Sequence, residues 1–329
     1  MGVPLFRNKI IRRGFLAVGG LIVIAAVVFV AGPRVDIAYS PRKIELPADL
    51  DGYLAHTEAA VPGLVAGAEK KIVWANADKH KTPISVVYLH GFSATRQETA
   101  PLAERVAAAL GANLFYTRLT GHGIDGDALA KGTVNDWLND ACEALRVGER
   151  IGDKVLVIGC SSGGALAAWL AANTSDEKVL GYVLLSPNLW PKNADARLLL
   201  WPWARQLMPR IHQPQMILRP VNEQHARYWN TTYPLVALIP MMGLCEVLHE
   251  QNFDGVTAPL LLIYCPEDKI VDVEVAKTVF AQWGGAPKKL VAFTPPDGTE
   301  RHVIAGDIRA PSGTQPLTEE IVAFARNLR

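Results

Sequence analysis

The chain is poor in cysteine and in net charge, and both shortages narrow the class of protein. Its four cysteines show neither the spacing of a disulfide framework nor that of a metal site. The formal net charge is only +1 over 329 residues, with 33 basic and 32 acidic side chains. Four of the basic residues lie within residues 1–13, so the remainder of the chain carries 29 basic residues against 32 acidic ones. This balance argues against nucleic acid as a partner.

Charged residues are absent from residues 14–33, where nearly every side chain is apolar. The stretch has no polar face, and its length suits one helical crossing of a bilayer. We therefore expect a transmembrane anchor at 14–33, behind a basic segment at 1–13. A cleaved signal peptide is the alternative, although Phe29 is unsuited to the position three residues before a cut after Ala31. The basic residues before the span predict a membrane location with a cytoplasmic N-terminus and an extracytoplasmic domain.

Internal repeats and low-complexity tracts are also absent, and apolar runs alternate with helical patterns after a linker and lead-in helix at residues 34–64. The alternation predicts an α/β domain at 65–329, with a mostly parallel central sheet and helices on both faces. A Trp- and Met-rich segment at about 187–252 breaks the pattern and indicates a helical cap, an apolar roof over a pocket. The predicted strands are Ile72–Trp74, Ile84–Leu89, Asn113–Tyr116, Val155–Ile158, Val179–Leu185, Leu260–Tyr264 and Leu290–Phe293. The predicted helices are Leu50–Glu58, Glu98–Leu110, Val134–Ile151, Gly163–Asn173, Glu274–Trp283 and Leu317–Leu328.

One five-residue run carries the chemistry that the sequence predicts. Residues 159–163 read Gly-Cys-Ser-Ser-Gly, which fits the G-x-S-x-G pattern of a nucleophile elbow. A buried-strand pattern precedes the run and strong helix formers follow it, so the serine lies on a sharp turn between strand and helix. Such a turn raises the serine Oγ above the sheet, next to the N–H groups of the helix N-terminus. Ser161 is the predicted nucleophile, because the alternative, Ser162, would need glycine where Cys160 stands.

A serine nucleophile needs a base and an acid, which follow in the order serine, acid, histidine in proteins with this elbow. His302 is the predicted base, because the other histidines after the elbow fall within the proposed cap. Three acids follow the strand that precedes the acid loop: Glu267, Asp268 and Asp272. Asp272 suits the N-cap of the next helix. Asp268 is favoured over Glu267 as the acid.

The negative charge that develops on the substrate needs two preorganised N–H donors. One is the backbone N–H of Ser162, directly after the nucleophile. The other is expected from the loop after the strand at 84–89, where the sequence runs His-Gly-Phe from His90 to Phe92. Phe92 N–H is the predicted donor, and His90 is expected to have a structural role.

These pieces resemble the α/β-hydrolase superfamily, and more narrowly its lysophospholipase, monoacylglycerol lipase and carboxylesterase group. The resemblance spans about residues 70 to 328. It implies an eight-stranded sheet, a cap between the sixth and seventh strands, and ester hydrolysis through an acyl-enzyme with neither cofactor nor metal. The elbow departs from many relatives, which carry His and then Met, Gln or Leu where this chain has Cys160 and Ser162. The matching motifs also include Gly121-His122-Gly123 and Asp136-Trp137 with Asp140.

The sequence therefore predicts a membrane-anchored serine esterase or (lyso)lipase that acts on small-molecule or lipid esters with apolar acyl chains. A serine peptidase, thioesterase or lactonase would use the same three side chains and is the first alternative. A catalytically silent binding member of the fold is the second, and it is disfavoured because all three catalytic residue types are present. Epoxide hydrolase and dehalogenase chemistry is disfavoured because the elbow carries Ser161 and not aspartate.

Overall fold

A seven-stranded sheet forms the centre of the protein in a computed structural model that describes residues 5–174, 177–297 and 301–328. The side chains of residues 5–13 lie outside this description, so the predicted basic segment at 1–13 does too. The first elements in chain order are α1 (Leu5–Val30), α2 (Leu50–Ala59), β1 (Lys71–Val73), β2 (Thr82–Leu89), α3 (Leu102–Leu110), β3 (Asn113–Tyr116), α4 (Gly126–Leu129), α5 (Val134–Ile151), β4 (Gly152–Cys160) and α6 (Ser162–Asn173). The later elements are β5 (Val179–Leu185), α7 (Ala204–Ile211), β6 (Gln215–Ile217), α8 (Glu223–Tyr228), β7 (Thr232–Pro234), α9 (Leu238–His249), β8 (Leu260–Tyr264), α10 (Val273–Gln282), β9 (Lys288–Ala292) and α11 (Pro311–Arg326).

The strand order in this sheet is β1-β3-β2-β4-β5-β8-β9, and every neighbouring pair is parallel except β1 with β3. The mostly parallel sheet predicted from the sequence is thus confirmed, and each of the seven predicted strands overlaps an observed one. The eight strands implied by the resemblance are not found in the described ranges. Residues 60–70, ahead of β1, form turns and no ladder, so the cap follows the fifth strand of this sheet instead of the sixth.

The sheet is buried on both faces because its inner strands contain continuous apolar runs, such as Val155–Ile158 of β4. Val155 and Val157 of β4 pack into the cluster that contains α5 and α6. Leu156 and Ile158, which alternate with them, pack into the cluster that contains α3 and α11. Side chains in a strand point alternately to opposite faces, so a continuous apolar run fills two cores at once. This explains why β4 can hold the elbow rigidly at its C-terminal end.

Two predicted helices differ from the observed ones at their N-terminal ends. The helix predicted to begin at Glu98 begins at Leu102 instead, because Pro101 precedes it and residues 98–101 form a turn. The last helix begins earlier than predicted, with Pro311 in its first turn. Pro is well suited to that position because its missing N–H would have no partner there. The shift at Glu98 removes this acid from a helix and places it beside the site described below.

The N-terminal helix α1 ends at Val30, three residues before the end of the predicted transmembrane span at 14–33. The chain then leaves the helix and contacts the domain, where the Trp203 N–H donates to the Pro33 carbonyl oxygen at 2.8 Å. Among the described residues, no helix is both long and apolar enough to cross a membrane. The predicted transmembrane helix is therefore not found in this part of the chain.

The segment from Pro187 to Asn252 lies over the C-terminal edge of the sheet and contains α7, α8, α9 and a two-stranded antiparallel sheet of β6 and β7, between which α8 lies in the chain. The sequence does not predict these two strands. Two short 3-10 helices, Ala194–Leu200 and Leu235–Ala237, complete the segment. Its apolar side chains divide in two directions. Met208 and Met242 are buried in the core, whereas Trp201 is 49% exposed and lies edge-on to Phe29 of α1.

Candidate active site

Ser161 lies on the strained turn between β4 and α6. Its backbone φ is +53°, a conformation that residues other than glycine rarely adopt. The Ser161 N–H donates to the Leu185 carbonyl oxygen at 2.9 Å, which ties the turn to the neighbouring strand β5. Gly163 allows the turn to be this sharp, because a Cβ at that position would overlap the carbonyl oxygen of Leu89. The pattern residues of the elbow therefore have specific steric reasons in this fold.

Ser161, His302 and Asp268 form one chain of hydrogen bonds. The Oγ of Ser161 lies 2.8 Å from Nε2 of His302, and Nδ1 of His302 lies 2.8 Å from Oδ2 of Asp268. Ser161 and His302 are each 7% exposed, and Asp268 is 1% exposed. This is the geometry that lets a histidine take a proton from a serine while a carboxylate fixes its tautomer.

Asp268 differs from its two rivals in what its carboxylate binds. The second oxygen, Oδ1, accepts hydrogen bonds from the N–H groups of Ile270 and Val271 at 2.8 and 3.0 Å. These donors fix the rotamer that points Oδ2 at the histidine. Glu267 lies outside the site, with an exposed side chain 3.5 Å from the Arg301 guanidinium.

Asp272, the third acid of this loop, accepts a hydrogen bond from the Glu274 N–H at 2.9 Å and is the N-cap of α10, as the sequence suggests. Ser162, the alternative nucleophile, is buried, and its Oγ has no hydrogen-bond partner among the described residues. Neither the Asp272 carboxylate nor the Ser162 hydroxyl thus takes part in the chain of hydrogen bonds that contains Ser161.

The loop that carries Phe92 lies directly against the nucleophile. A Cβ built on Gly91 would be 3.0 Å from the Cβ of Ser161, so only a glycine lets the two backbones approach this closely. The ring of Phe92 is packed edge-on against His122, Trp137 and Tyr233, with ring centroids 5.5 to 6.1 Å apart. These contacts hold the Phe92 backbone beside the elbow, where the Ser162 N–H also lies at the start of α6.

His90 supports this loop from below. Its Nε2 accepts a hydrogen bond from the Leu119 N–H at 3.1 Å, and its Nδ1 lies 2.9 Å from the Gly91 carbonyl oxygen. Because Nε2 accepts, Nδ1 carries the proton and donates to Gly91. Burial lowers the pKa of His90 to about 4, so the ring is neutral at physiological pH. This geometry gives His90 a structural role.

Two of the remaining motifs hold the neighbouring turn in place. Asp140 accepts a hydrogen bond from the Thr120 N–H at 2.6 Å, and the Trp137 indole N–H donates to the Thr120 carbonyl oxygen at 2.9 Å. Both side chains project from α5, whose N-terminus is closed by a capping box between Thr133 and Asp136. The Asp-Trp motif thus fixes the turn that carries His122 against the Phe92 loop.

The cap covers the hydrogen-bonded chain. Asn188 donates its backbone N–H to the Ser161 carbonyl oxygen at 2.9 Å, and its side-chain amide lies 3.0 Å from the sulfur of Met241 in α9. The Asn230 N–H donates to the Ser93 carbonyl oxygen, one residue beyond Phe92. A cavity of about 570 Å³ lies between the cap and α10, with Trp190 and Phe253 in its wall, but its lining does not include Ser161 or His302.

One buried acid near Ser161 is not apparent from the sequence. Glu98 is 2% exposed, and its Oε2 accepts a hydrogen bond from the Gly91 N–H at 2.7 Å. The sequence places this acid at the start of a helix, where a glutamate is usually solvated. The signal that could have revealed it is Pro101, which moves the helix start beyond Glu98. No group of three His, Cys, Asp or Glu side chains is placed to bind a metal ion within residues 5–174, 177–297 and 301–328.

A sharp strand–serine–helix turn on a parallel sheet, with an inserted cap above it, is the architecture of the α/β hydrolases. The chain belongs to this family: residues 86–306 match the model of the alpha/beta hydrolase family. That range extends from β2 to the loop that follows His302, so it includes all of the site.

Individual relatives are lipases and esterases. A thermostable monoacylglycerol lipase from Bacillus sp. (strain H-257) is 33% identical over 94 residues, which are 29% of this chain and 37% of that relative. The match thus spans less than two fifths of the relative. Among solved structures, one from the metagenome-derived lipolytic enzymes LipS and LipT has a TM-score of 0.64 at 24% identity, covering 80% of this chain and 99% of the other. The monoacylglycerol lipase of Paleococcus ferrophilus has a TM-score of 0.56 at 18% identity, with coverage of 79% and 98%. These structural likenesses support the fold.

Proposed function

We propose that the protein is a serine hydrolase that cleaves carboxylic esters through an acyl-enzyme. The observation that carries this proposal is the unbroken chain from the Ser161 Oγ through His302 to Asp268, with 2.8 Å at both steps. Each partner has the buried position and the orientation that general-base catalysis requires.

In the first half of the reaction, His302 Nε2 takes the hydroxyl proton while the Ser161 Oγ forms a bond to the ester carbonyl carbon. The carbonyl oxygen becomes an oxyanion, which the N–H groups of Phe92 and Ser162 stabilise. The Asp268 carboxylate stabilises the imidazolium that results. When the tetrahedral intermediate collapses, the C–O bond to the leaving alcohol breaks and His302 returns the proton to that alcohol.

In the second half, water replaces the alcohol. His302 takes a proton from this water while its oxygen forms a bond to the acyl carbon. Collapse then breaks the bond to the Ser161 Oγ, and His302 gives the proton back to the serine. The carboxylic acid leaves, and the enzyme returns to its starting state. Neither half requires an oxidant, a reductant or a further reactant.

An apolar acyl ester is the substrate class that we propose. Apolar side chains lie near the elbow: Met241 of the cap contacts Asn188, which binds the Ser161 carbonyl oxygen, and Phe92 belongs to the adjacent oxyanion loop. The similarity to a monoacylglycerol lipase and to lipolytic enzymes supports acylglycerols or lysophospholipids as candidates. A series of p-nitrophenyl esters of increasing acyl length tests this idea: kcat/KM is expected to rise toward medium and long chains. A preference for acetate would indicate a general esterase.

The test of the proposed chemistry is Ser161→Ala. The variant is expected to lose p-nitrophenyl ester hydrolysis and labelling by a fluorophosphonate, because both reactions need the Oγ nucleophile. Ser40→Ala is the matched control, because this serine is exposed and lies in the linker before the domain; the variant should keep both activities. Full labelling of Ser161→Ala would refute the assignment. Matched thioester, lactone and aminoacyl amide substrates distinguish the esterase from the other serine hydrolases.

We also propose that the α1 end of the protein associates with a lipid surface. The large apolar side chains of α1 between Phe15 and Val30 are exposed, and the exposed Trp201 of the cap lies beside Phe29. The full chain is expected to sediment with membranes, unlike a fragment that begins at Arg34. Recovery of the full chain in the supernatant would contradict the proposal. Digestion of the domain by protease added to intact cells tests the predicted extracytoplasmic location.

A further inference from the structure

Glu98 is a buried carboxyl that the proposed reaction does not use. It lies in the turn between the oxyanion loop and α3, and 2% of it is exposed. Its Oε2 accepts the Gly91 N–H at 2.7 Å and the Tyr88 O–H at 3.2 Å. One carboxyl oxygen therefore joins the C-terminal end of strand β2, at Tyr88, to the loop that carries Phe92.

The same carboxyl is close to the nucleophile. A Cβ built on Gly91 would be 2.5 Å from the Glu98 Oε1 and 3.0 Å from the Ser161 Cβ, so only this glycine separates the two side chains. The thiol of Cys160, which directly precedes Ser161, lies close enough to Glu98 for each group to influence the pKa of the other. Glu98 thus contacts both the oxyanion loop and the elbow.

The backbone around Glu98 also supports the loop that carries the base. The Asp307 N–H donates to the Ala100 carbonyl oxygen at 2.9 Å. A Cβ built on Gly306 would be 2.7 Å from the Glu98 carbonyl oxygen, so the His302 loop packs closely on this turn. The oxyanion loop, the elbow and the His302 loop, three of the four segments that supply groups to the reaction, thus meet around residues 98–100.

Several titratable groups face the Glu98 side chain. Tyr88 approaches from β2, Cys160 from the elbow, and the charge of His302 acts on it from the loop after β9. Arg96, on the same turn, binds Glu69 instead. Burial is the largest influence and raises the pKa of Glu98 to about 7, although the Gly91 N–H and a cationic His302 oppose this rise. The carboxyl therefore changes its charge within the pH range in which an esterase works.

We propose that Glu98 is a positioning residue of the active site, which fixes the oxyanion loop at Gly91 against the elbow at Cys160. This inference rests on the proposed ester hydrolysis. As a carboxylate, Glu98 accepts hydrogen bonds from the N–H and the O–H that surround it. When it is protonated, one oxygen becomes a donor and loses this capacity. The oxyanion donors are then held less firmly, and a small displacement of such donors lowers the rate.

The test is Glu98→Gln, which keeps the shape and an acceptor for the Gly91 N–H but removes the charge. We expect kcat to fall roughly tenfold to a hundredfold while KM changes by less than about twofold, because the defect is in transition-state geometry. Below its pH optimum, the wild-type kcat/KM should fall with a limiting slope of about two in a plot of log kcat/KM against pH, because both His302 and Glu98 must be deprotonated. In Glu98→Gln this slope should be about one, because only His302 still titrates. Glu104→Gln is the matched control, a glutamate on α3 that contacts Tyr116, and it should keep the wild-type profile.

Unchanged kcat and an unchanged profile in Glu98→Gln would overturn the proposal. The proposal would also be overturned if the variant lost activity only in proportion to a lowered melting temperature and its pH profile kept a slope of two below the optimum. If the variant does not fold, the rate of fluorophosphonate labelling of the wild-type protein is measured between about pH 5 and 8 instead. A slope of one below the optimum, which indicates a single titrating group, would overturn the proposal. Failure of the proposed function is distinguishable, because Ser161→Ala would then retain activity.

Discussion

The Nε2 of His302 lies 2.8 Å from the Oγ of Ser161, although the two residues are 141 positions apart in the chain. The serine is fixed by a strained turn at the end of β4, and the histidine by a loop that packs on the turn at residues 98–100. Their separation is therefore set by the sheet and by loop packing together. Changes in either support should alter the reaction without touching the reacting atoms.

Asp268→Asn should lower kcat by about a thousandfold to ten-thousandfold, because an amide in this position favours the wrong tautomer of His302. The Ile270 and Val271 N–H groups still hold the side chain, so the melting temperature should change little. Glu267→Gln is the control, since that carboxylate is exposed and pairs with Arg301. Equal losses in the two variants would show that the wrong acid has been assigned. Steady-state hydrolysis of a p-nitrophenyl ester measures both.

Gly163→Ala should disrupt the elbow. Alanine favours a helix over glycine by about 1 kcal/mol, but the new Cβ would overlap the backbone oxygen of Leu89. Neither backbone can move freely in the sheet, so we expect a net loss of about 1–3 kcal/mol in the free energy of unfolding, together with a loss of kcat. Gly255→Ala is the control, because no atom lies within 4 Å of its added Cβ. A stabilised Gly163→Ala variant would contradict this account of the turn.

His90 should make the folded state less stable as the pH falls from about 6.5 toward 4, whereas Glu98, whose pKa burial raises to about 7, acts in the opposite direction. The unfolded chain binds a proton at His90 near pH 6.5, whereas the folded protein keeps the ring neutral to a pKa of about 4. The unfolded state thus gains protons first, and the folded state loses about 3 kcal/mol over this window. His122, whose pKa burial also lowers, acts in the same direction as His90. In urea unfolding, His90→Gln should lose less stability than the wild type over this window; an equal loss would refute the assignment.

The buried ion pair of Glu58 with Arg118 should contribute strongly to folding. Its two hydrogen bonds are 2.7 and 2.9 Å long, and both side chains are less than 10% exposed. Glu58→Ala leaves the guanidinium buried without its carboxylate, so the free energy of unfolding should fall by about 3–5 kcal/mol. Glu45→Ala breaks the exposed pair with Lys43 and should cost less than about 1 kcal/mol. Chemical denaturation that gave similar losses for both would contradict the difference in burial.

Local patterns along the chain were sufficient to predict the strands, the elbow and the order of the three proposed catalytic side chains. Val155–Ile158 is apolar at every position, and burial on both faces of a parallel sheet requires this. The choice of His302 depended on chain order alone, because the other histidines after the elbow fall within the cap segment. The structure brings this histidine to Ser161 and Asp268, which is the arrangement that the order predicts.

Other features depended on contacts between distant segments. Glu98 falls within a predicted helix, and only the packing of three loops places its carboxyl behind Gly91. The antiparallel strands β6 and β7 have three residues each, too few to give a clear alternating pattern. The span at 14–33 was predicted from its composition, but in the structure Pro33 is already bound to the cap.

Residue order and local hydrophobic pattern determined the type of fold and the identity of the proposed catalytic side chains, because strand burial, turn shape and helix formation are properties of neighbouring residues. Tertiary structure alone decided how firmly those side chains are held, that the Glu98 carboxyl lies behind Gly91, and how the cap packs beside the elbow. Each of these depends on distances between residues far apart in the chain, and packing of the whole domain sets them.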